Sequence, residues 1–352
     1  MRISPLTNPK KGSILTVIQL ACKMHASNKG GISMQEKTAA QVLLTTCSDC
    51  KTHEKLLFVT DPTSLPVAMA MWEAAAAFPN KSLVMMDERT MHGQEPTDAI
   101  AAAMAAADVI FGCTKFSLFH SSARKAAVAA GARFVNMVDY HPSMMKEGAL
   151  FCDFEAAGKT CAAVAESFTG KSLCRITTAA GTDFTCSIAG RNPFPQFGRS
   201  LKGGVSSSPP DIECATCAVE GTANGVVYID GSIPHPLLGL ITEPIRLDIR
   251  DGCIVSISGG SQAKILEEIL KGFKDPNVYV IGEIGLGLND ACTLSGSMLE
   301  DEGCGGTVHL ACGDNTGFGG HVSCPCHLDM VFRAPTLYAD DVCVLRDGAV
   351  MV

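Results

Sequence analysis

Four short apolar runs in the first half of the chain alternate with helix-like stretches, and this alternation restricts the fold more than any other feature. The runs are KLLFVTD (55–61), SLVMM (82–86), ADVIFGC (107–113) and ARFVNMV (132–138). Short apolar runs without polar alternation are typical of strands buried on both faces. The stretches between them, SLPVAMAMWEAAAAF, PTDAIAAAMAAA and SLFHSSARKAAVAAG, predict helices. We therefore predict an α/β domain, doubly wound around a mostly parallel sheet.

The second half of the chain consists of short β-rich runs separated by turns. A predicted helix over 153–170 closes the first half, and another is predicted over 261–273. The dipeptide Asp251-Gly252 lies between two alternating apolar segments and predicts a β-hairpin. A length of 352 residues also favours two domains. The predicted organisation is an N-terminal extension over 1–35, an α/β domain over 36–170, and a β-rich α+β domain with the functional site over 171–352.

Composition restricts the partners of the protein. Apolar residues make up 47% of the chain and charged residues 18%, as in a folded globular protein. The net charge of −8, without a basic cluster interleaved with aromatic residues, excludes a nucleic-acid partner. No apolar segment is long enough to predict a membrane span. The 17 cysteines are scattered through apolar segments of a large chain, which favours a reduced, cytoplasmic location over a disulfide-stapled secreted protein.

Two histidines and two carboxylates in apolar segments of the last fifth of the chain predict a metal site. They are Glu283, His309, His327 and Asp329. On an extended strand His327 and Asp329 share one face, so both side chains can reach one ion. Glu283 lies in a run otherwise free of charge, and a carboxylate is rarely buried unless it is paired or bound to metal. Carboxylate oxygen and imidazole nitrogen are ligands of zinc, cobalt, manganese and ferrous iron.

Further acidic residues have weaker sequence signals. Glu213 in SPPDIECATCAVEG is another candidate ligand, and Glu220 follows seven residues later. Nothing local forces either side chain inward, so a solvated loop is the competing interpretation. The acidic run Glu300-Asp301-Glu302 is predicted to be a solvated helix end or loop.

The order and spacing of several short motifs resemble a known superfamily. The motifs are PPDIECATCAVEGTANGVVYIDGSI, DGCIVSISGG, GEIGLGLN, VHLACGDN, FGG and CHLD. They are similar to the aminopeptidase T family of thermophilic leucyl metalloaminopeptidases and to its relative, the 2,5-dihydroxypyridine 5,6-dioxygenases. The similarity runs from about residue 36 to the C-terminus. It implies an α/β domain, a β-rich domain with the metal site, and a homo-oligomeric enzyme.

The resemblance also implies roles for individual residues. In the aminopeptidases, the positions matching Glu213, Glu283, His309, His327 and Asp329 hold two divalent ions. In the dioxygenases a histidine replaces the GE glutamate, the other two ligands are lost, and one ferrous ion is bound. Since this chain has Glu283 at the deciding position, the resemblance favours the hydrolase branch. However, Thr316 stands where the aminopeptidases carry a tyrosine. This difference adds small amides and cyclic amides to peptides as expected substrate classes.

The leading prediction is therefore a hydrolase that cleaves a C–N bond at a two-metal site. Zinc, cobalt or manganese would activate water, and Glu220 would carry the proton. The first alternative is a mononuclear iron(II) dioxygenase that opens a dihydroxypyridine-like ring, with His327, Asp329 and either His309 or Glu283 as ligands. The second alternative is a degenerate binding protein without catalysis.

Overall fold

The computed structural model of the protein describes residues 39–352. The N-terminal extension predicted over 1–35 lies outside the described residues. A π-helical turn, Leu43–Cys47, precedes the first strand. The strands and α-helices up to residue 170 are β1 Leu56–Thr60, α1 Leu65–Ala74, β2 Lys81–Met85, α2 Asp98–Ala106, β3 Val109–Cys113, α3 Ser122–Ala129, β4 Arg133–Asn136 and α4 Phe154–Phe168, and a 3-10 helix, Ala149–Phe151, precedes α4. Every strand and helix predicted in this half is present, with bounds that differ by a few residues.

The second half is mainly antiparallel sheet with two helices. Its helices are α5 Ser261–Gly272 and α6 Met298–Glu302. Its strands are β5 Leu173–Thr177, β6 Asp183–Ser187, β7 Phe194–Gln196, β8 Ser206–Ser207, β9 Glu213–Cys217, β10 Asn224–Ile229, β11 Ser232–Ile233, β12 Gly239–Leu240, β13 Ile245–Arg250, β14 Cys253–Ser258, β15 Ile281–Gly287, β16 Thr307–Gly313, β17 His327–Arg333, β18 Thr336–Ala339, β19 Val342–Arg346 and β20 Ala349–Val350.

The N-terminal sheet is parallel and covered on both faces. Its strand order is β2-β1-β3-β4-β8. Along β1, Leu56 and Phe58 belong to one core cluster with residues of α1, whereas Leu57 and Val59 belong to a second cluster with residues of α2 and α3. Because β1 and β3 are buried on both faces, they need apolar side chains at successive positions, which explains their unbroken apolar runs. The prediction that SLVMM is a buried strand is wrong, because β2 lies at the edge of the sheet and is partly exposed.

Two antiparallel sheets form the second half. One has the order β14-β13-β10-β6-β5-β18-β19-β20 and the other the order β12-β11-β17-β16-β15-β9-β7. Their apolar faces share one core cluster, which includes Phe184, Leu247, Leu286 and Met330. Asp251 and Gly252 both have positive φ and connect β13 to β14, so the predicted hairpin is confirmed.

The predicted fold class, a doubly wound α/β domain followed by a β-rich α+β domain, is confirmed. The domain limits themselves stay a prediction, and one strand crosses them: β8 lies beyond residue 170 in sequence but pairs with β4 of the N-terminal sheet. Within residues 39–352, no helix combines the length and the apolar character that crossing a membrane requires.

Candidate metal centre

Four neighbouring strands of the second antiparallel sheet present the predicted ligands on one face, here called the ligand face. These strands are β9, β15, β16 and β17. Side chains alternate along each strand, so Ile284 and Leu310 enter the apolar core while Glu283 and His309 point the other way. On β17, His327 and Asp329 are two residues apart, so their side chains lie on the same face of the strand, as the sequence predicts.

Small residues beside the ligands make room for them. Glu283 and Asp329 both pair with Ala311 of β16, and His327 pairs with Gly313. Gly285 pairs with His309, and a Cβ atom at Gly285 would lie 2.0 Å from Nε2 of His309. The glycines of GEIGLG and HLACG therefore leave space on the ligand face for the ligand side chains.

The five predicted ligand residues gather into two groups that share Glu283. The inner group is Glu213, Glu283 and His309, and the outer group is Glu283, His327 and Asp329. In each group, one ligand atom per residue lies within 4.8 Å of the others. The structure thus brings together every metal ligand expected from the sequence.

The inner group is buried, with its imidazole between two carboxylates. Nε2 of His309 lies 3.3 Å from Oε2 of Glu213 and 3.6 Å from Oε1 of Glu283. The other oxygen of Glu213 accepts a hydrogen bond from the Gln196 amide at 3.2 Å. Oε2 of Glu213 is buried, and its ion-pair contact with His309 lacks hydrogen-bond geometry. A buried carboxylate oxygen without a well-aligned donor is costly, so this atom fits a site that a cation completes.

The outer group is open to solvent on one side. The His327 side chain is 33% exposed, and its Nε2 lies 3.0 Å from Oε2 of Glu283 and 3.5 Å from Oδ1 of Asp329. Nδ1 of His327 lies 2.7 Å from the carbonyl oxygen of Asp314. Since a carbonyl only accepts, Nδ1 carries a proton, so Nε2 is the nitrogen that would bind a metal in exchange for its own proton.

The carboxyl group of Glu302 supports the outer group through a hydrogen bond to Asp329. Burial and the charges of Asp329 and Glu213 raise the pKa of Glu302 well above its ordinary value, so Glu302 keeps its proton and donates a hydrogen bond to Asp329. Burial alone would raise the pKa of Asp329, but His327 and the hydrogen bond from Glu302 hold that pKa well below its usual range. Asp329 therefore stays ionised, as a metal ligand must be.

Several residues near the centre were not predicted from the sequence. Glu302 and Asp301 belong to the run predicted to be solvated, but α6 packs against β15 and β17, so this acidic turn faces inward. Asp301 is fully buried and accepts hydrogen bonds from the backbone N–H groups of Ser295 and Gly296. Asp211 is a further buried acid, and its Oδ1 has no hydrogen-bond partner among the described residues. Asp211 lies two residues before Glu213, and nothing else in the sequence indicates that it is near the metal centre.

His120 of the N-terminal half is within electrostatic range of His327. Burial, followed by the charges of Arg124 and His327, lowers the pKa of His120. His120 is thus close enough to His327 to sense its charge, although the two residues lie in different predicted domains. His120 lies in an amphipathic stretch just before α3, and this local sequence does not predict a location near His327.

Glu220, the predicted proton carrier, belongs to neither ligand group. Its carboxylate pairs with Arg191 at 2.5 Å and accepts hydrogen bonds from the Asn315 side chain at 3.1 Å and from the His321 backbone N–H at 2.8 Å. Burial raises the pKa of Glu220, but the hydrogen bonds from His321 and Asn315 and the charge of Arg191 lower it overall. The catalytic role of Glu220 stays a prediction.

The inner group makes the stability of the metal-free protein depend on pH. Burial alone would lower the pKa of His309, but the hydrogen bond and charge of Glu283 and the charge of Glu213 raise it to about 9. A raised histidine pKa adds stability that is complete below about pH 6.5 and is lost as pH rises through about 9. For chelator-treated protein we expect the free energy of unfolding in urea to fall by up to about 3 kcal/mol over this range. Because Asp329 and Glu283 also raise the pKa of His327, His309→Gln should reduce this slope without abolishing it, and an equal slope in that variant would contradict the assignment.

The fold and the ligand groups are those of a two-domain protein that binds divalent metal. Residues 43–352 match the 2,5-dihydroxypyridine 5,6-dioxygenase (NicX) family, and the chain belongs to this family. The chain is 31% identical over 186 residues to a 2,5-dihydroxypyridine 5,6-dioxygenase of Pseudomonas putida KT2440. That alignment covers 50% of this chain and 53% of the relative, so it spans about half the length of the curated protein.

Two solved structures share the fold. The 2,5-dihydroxypyridine dioxygenase from Pseudomonas putida KT2440 superposes with a TM-score of 0.74 and 24% identity, covering 91% of this chain and 97% of that one. Wild-type AmpT from Thermus thermophilus superposes with a TM-score of 0.65 and 15% identity, covering 90% of this chain and 99% of that one. The resemblance to the superfamily is confirmed, whereas assignment to the aminopeptidase T family is not supported.

The prediction of a hydrolase is wrong, because the matching family and the curated relative are dioxygenases. Glu283 does not decide the reaction. A carboxylate binds ferrous iron as well as zinc, cobalt or manganese, so a glutamate at this position changes the ligand set without fixing the chemistry. The prediction of a divalent metal cofactor, with iron(II) among the alternatives, is confirmed.

Proposed function

We propose that the protein is a mononuclear non-heme iron(II) dioxygenase that opens the ring of a dihydroxypyridine-like aromatic compound. The main support is the outer group, in which a one-third-exposed imidazole lies beside two buried carboxylates. Membership in the dioxygenase family supports the reaction class. Ferrous iron in such a site would supply the reactivity toward dioxygen that amino-acid side chains lack.

The ligands that would hold the iron are Glu283, His327 and Asp329. Two carboxylates and one imidazole differ from the more common facial set of two histidines and one carboxylate. The second imidazole, His309, lies on the other side of Glu283 and contacts its Oε1, whereas His327 contacts Oε2. In this proposal His309 and Glu213 orient Glu283 from the buried side and leave the outer face for substrate.

The surroundings of the outer group suit a flat, uncharged ring. Phe318 stacks on His327 with ring centres 5.7 Å apart and an interplanar angle of 18°. Phe194 meets Phe318 edge-on, also at 5.7 Å, and is 42% exposed. Aromatic side chains favour planar rings through offset and edge contacts. The neighbouring carboxylates would repel a strongly anionic substrate, which further favours a neutral heteroaromatic compound.

The chain's own residues have defined roles in this proposal. His327 is fixed as the Nδ1–H tautomer by the Asp314 carbonyl, so its Nε2 faces the iron position. Asp329 is kept ionised by the charge and hydrogen bond of His327, with a further hydrogen bond from Glu302. Phe318 and Phe194 would orient the ring and exclude water from one side of it.

The function is tested by oxygen uptake with 2,5-dihydroxypyridine. Protein reconstituted anaerobically with ferrous iron should consume about one O₂ per ring opened, with matching loss of the aromatic absorbance. Elemental analysis should give one iron per chain. His327→Ala should lack the activity, and wild-type protein under argon should leave the absorbance unchanged. Iron-loaded, folded wild-type protein that consumes no oxygen with this compound would contradict the proposal.

A further inference from the structure

The segment from Asp314 to Val322, here called the 314–322 loop, contacts His327 on two sides. The carbonyl of Asp314 accepts the Nδ1–H hydrogen bond of His327 at 2.7 Å. The Phe318 ring lies nearly parallel to the imidazole. The loop therefore determines both the tautomer of His327 and the direction in which its Nε2 points.

The loop has little regular structure of its own. A single 3-10 turn, Thr316–Phe318, is its one helical element, and Gly317, Gly319 and Gly320 lie within or beside that turn. Glycine-rich backbone loses more conformational freedom on ordering than other sequences. A loop of this composition needs tertiary contacts to keep one conformation.

Two residues from outside the loop provide these contacts. Glu220 accepts hydrogen bonds from the His321 backbone N–H and from the Asn315 side chain, while the Asn315 side-chain oxygen accepts from the N–H of Val322. Arg191 donates to the Gly319 carbonyl and to Oε2 of Glu220. The Arg191 side chain is 10% exposed and that of Glu220 is 27% exposed, so water screens this pair only in part.

We propose that Arg191 and Glu220 are positioning residues, which hold the 314–322 loop and thereby orient His327 at the metal centre. Both oxygens of the Glu220 carboxylate accept hydrogen bonds, one from the loop and the other from Arg191. Glu220 also lies outside both ligand groups. This role differs from the proton transfer expected from the sequence. The proposal depends on the proposed function only in taking His327 as a metal ligand.

The test measures Co²⁺ binding, which needs no catalytic turnover. Glu220→Gln cannot accept from Arg191, His321 and Asn315 together, so we expect its Co²⁺ affinity to fall about 10- to 100-fold. The visible Co²⁺ spectrum should also change, because the imidazole moves. Arg191→Lys keeps the charge but donates from one nitrogen, so it should show a smaller loss of affinity. If Glu220→Gln does not fold, the Co²⁺ affinity of Arg191→Lys tests the proposal instead.

The chain offers a matched control ion pair in the N-terminal domain. Arg133 and Glu54 lie 2.5 Å apart with side chains 6% and 18% exposed. Glu54→Gln should leave Co²⁺ affinity and spectrum unchanged, even where it costs as much stability in urea. Folded Glu220→Gln and Arg191→Lys proteins with wild-type Co²⁺ affinity and spectrum would overturn the proposal.

The pH dependence of kcat/KM separates positioning from proton transfer. If Glu220 only positions the loop, Glu220→Gln lowers kcat/KM at every pH and leaves the shape of the profile unchanged. Loss of one limb of the profile, with Co²⁺ affinity unchanged, would make Glu220 a proton carrier and overturn the positioning role. Absence of ring-opening activity in the wild-type protein would refute the proposed function while leaving the Co²⁺ comparison valid.

Discussion

Replacing Glu283 with alanine is expected to lower the affinity for divalent cations by more than about a hundredfold and to abolish the proposed ring opening. Among the described residues, Glu283 is the one carboxylate that both ligand groups share. Loss of a residue that only orients a ligand typically costs 10- to 100-fold in metal affinity, so loss of this ligand should cost more. Co²⁺ titration and iron analysis after reconstitution measure the effect.

Two further variants show whether the Glu283 carboxylate charge is the cause. Glu283→Gln keeps the shape of the side chain and should still lose most of the affinity, because a neutral amide binds a divalent cation weakly. Glu300→Gln removes a carboxylate of the same domain that lies outside both groups, and it should bind cobalt as wild type does. A Glu283→Ala protein that is folded and binds a full equivalent of iron would contradict the assignment.

The fold could be predicted well because its two halves leave different periodic signals. The buried parallel strands β1 and β3 require apolar residues at successive positions, and such runs are visible without any other information. The pairing of β8 with β4 had no such signal. Two residues in a Ser/Pro-rich loop have no periodicity, and only the tertiary structure brings them to the sheet edge.

The ligands could be predicted because polar side chains are rare in apolar strands. Glu283, His309 and Asp329 each interrupt a buried strand, and the energetic cost of such burial makes them conspicuous. Glu302 could not be found this way, since an acidic helix end is ordinarily solvated. Its contact with Asp329 depends on how α6 packs on the sheet, which local sequence does not encode.

The reaction class could not be predicted from the ligand types. The same carboxylates and imidazoles bind zinc for hydrolysis or iron for oxygen chemistry. What distinguishes these reactions is the shape and chemistry of the open side of the site. Here that side includes Phe318 on the 314–322 loop and Phe194 on β7, which come together only in the folded protein.

Gly285→Ala is expected to destabilise the protein by about 1–3 kcal/mol and to lower activity at least about tenfold, although it adds a single methyl group. The added Cβ would lie 2.0 Å from Nε2 and 2.2 Å from Cε1 of His309, far inside van der Waals contact. His309 is fully buried between Glu213 and Glu283, so the imidazole cannot move without disturbing both carboxylates. Urea unfolding and oxygen uptake measure the two effects.

A control glycine and a double-mutant cycle identify the clash with His309 as the cause. Gly272 at the end of α5 has no atom within 4 Å of an added Cβ, so Gly272→Ala should be neutral or stabilising by up to about 1 kcal/mol. The nearest atoms to a Cβ at Gly285 all belong to His309. In a His309→Ala background, Gly285→Ala should therefore cost less than about 0.5 kcal/mol. An undiminished cost in that background would mean that the strand backbone, and not the imidazole, requires glycine at this position.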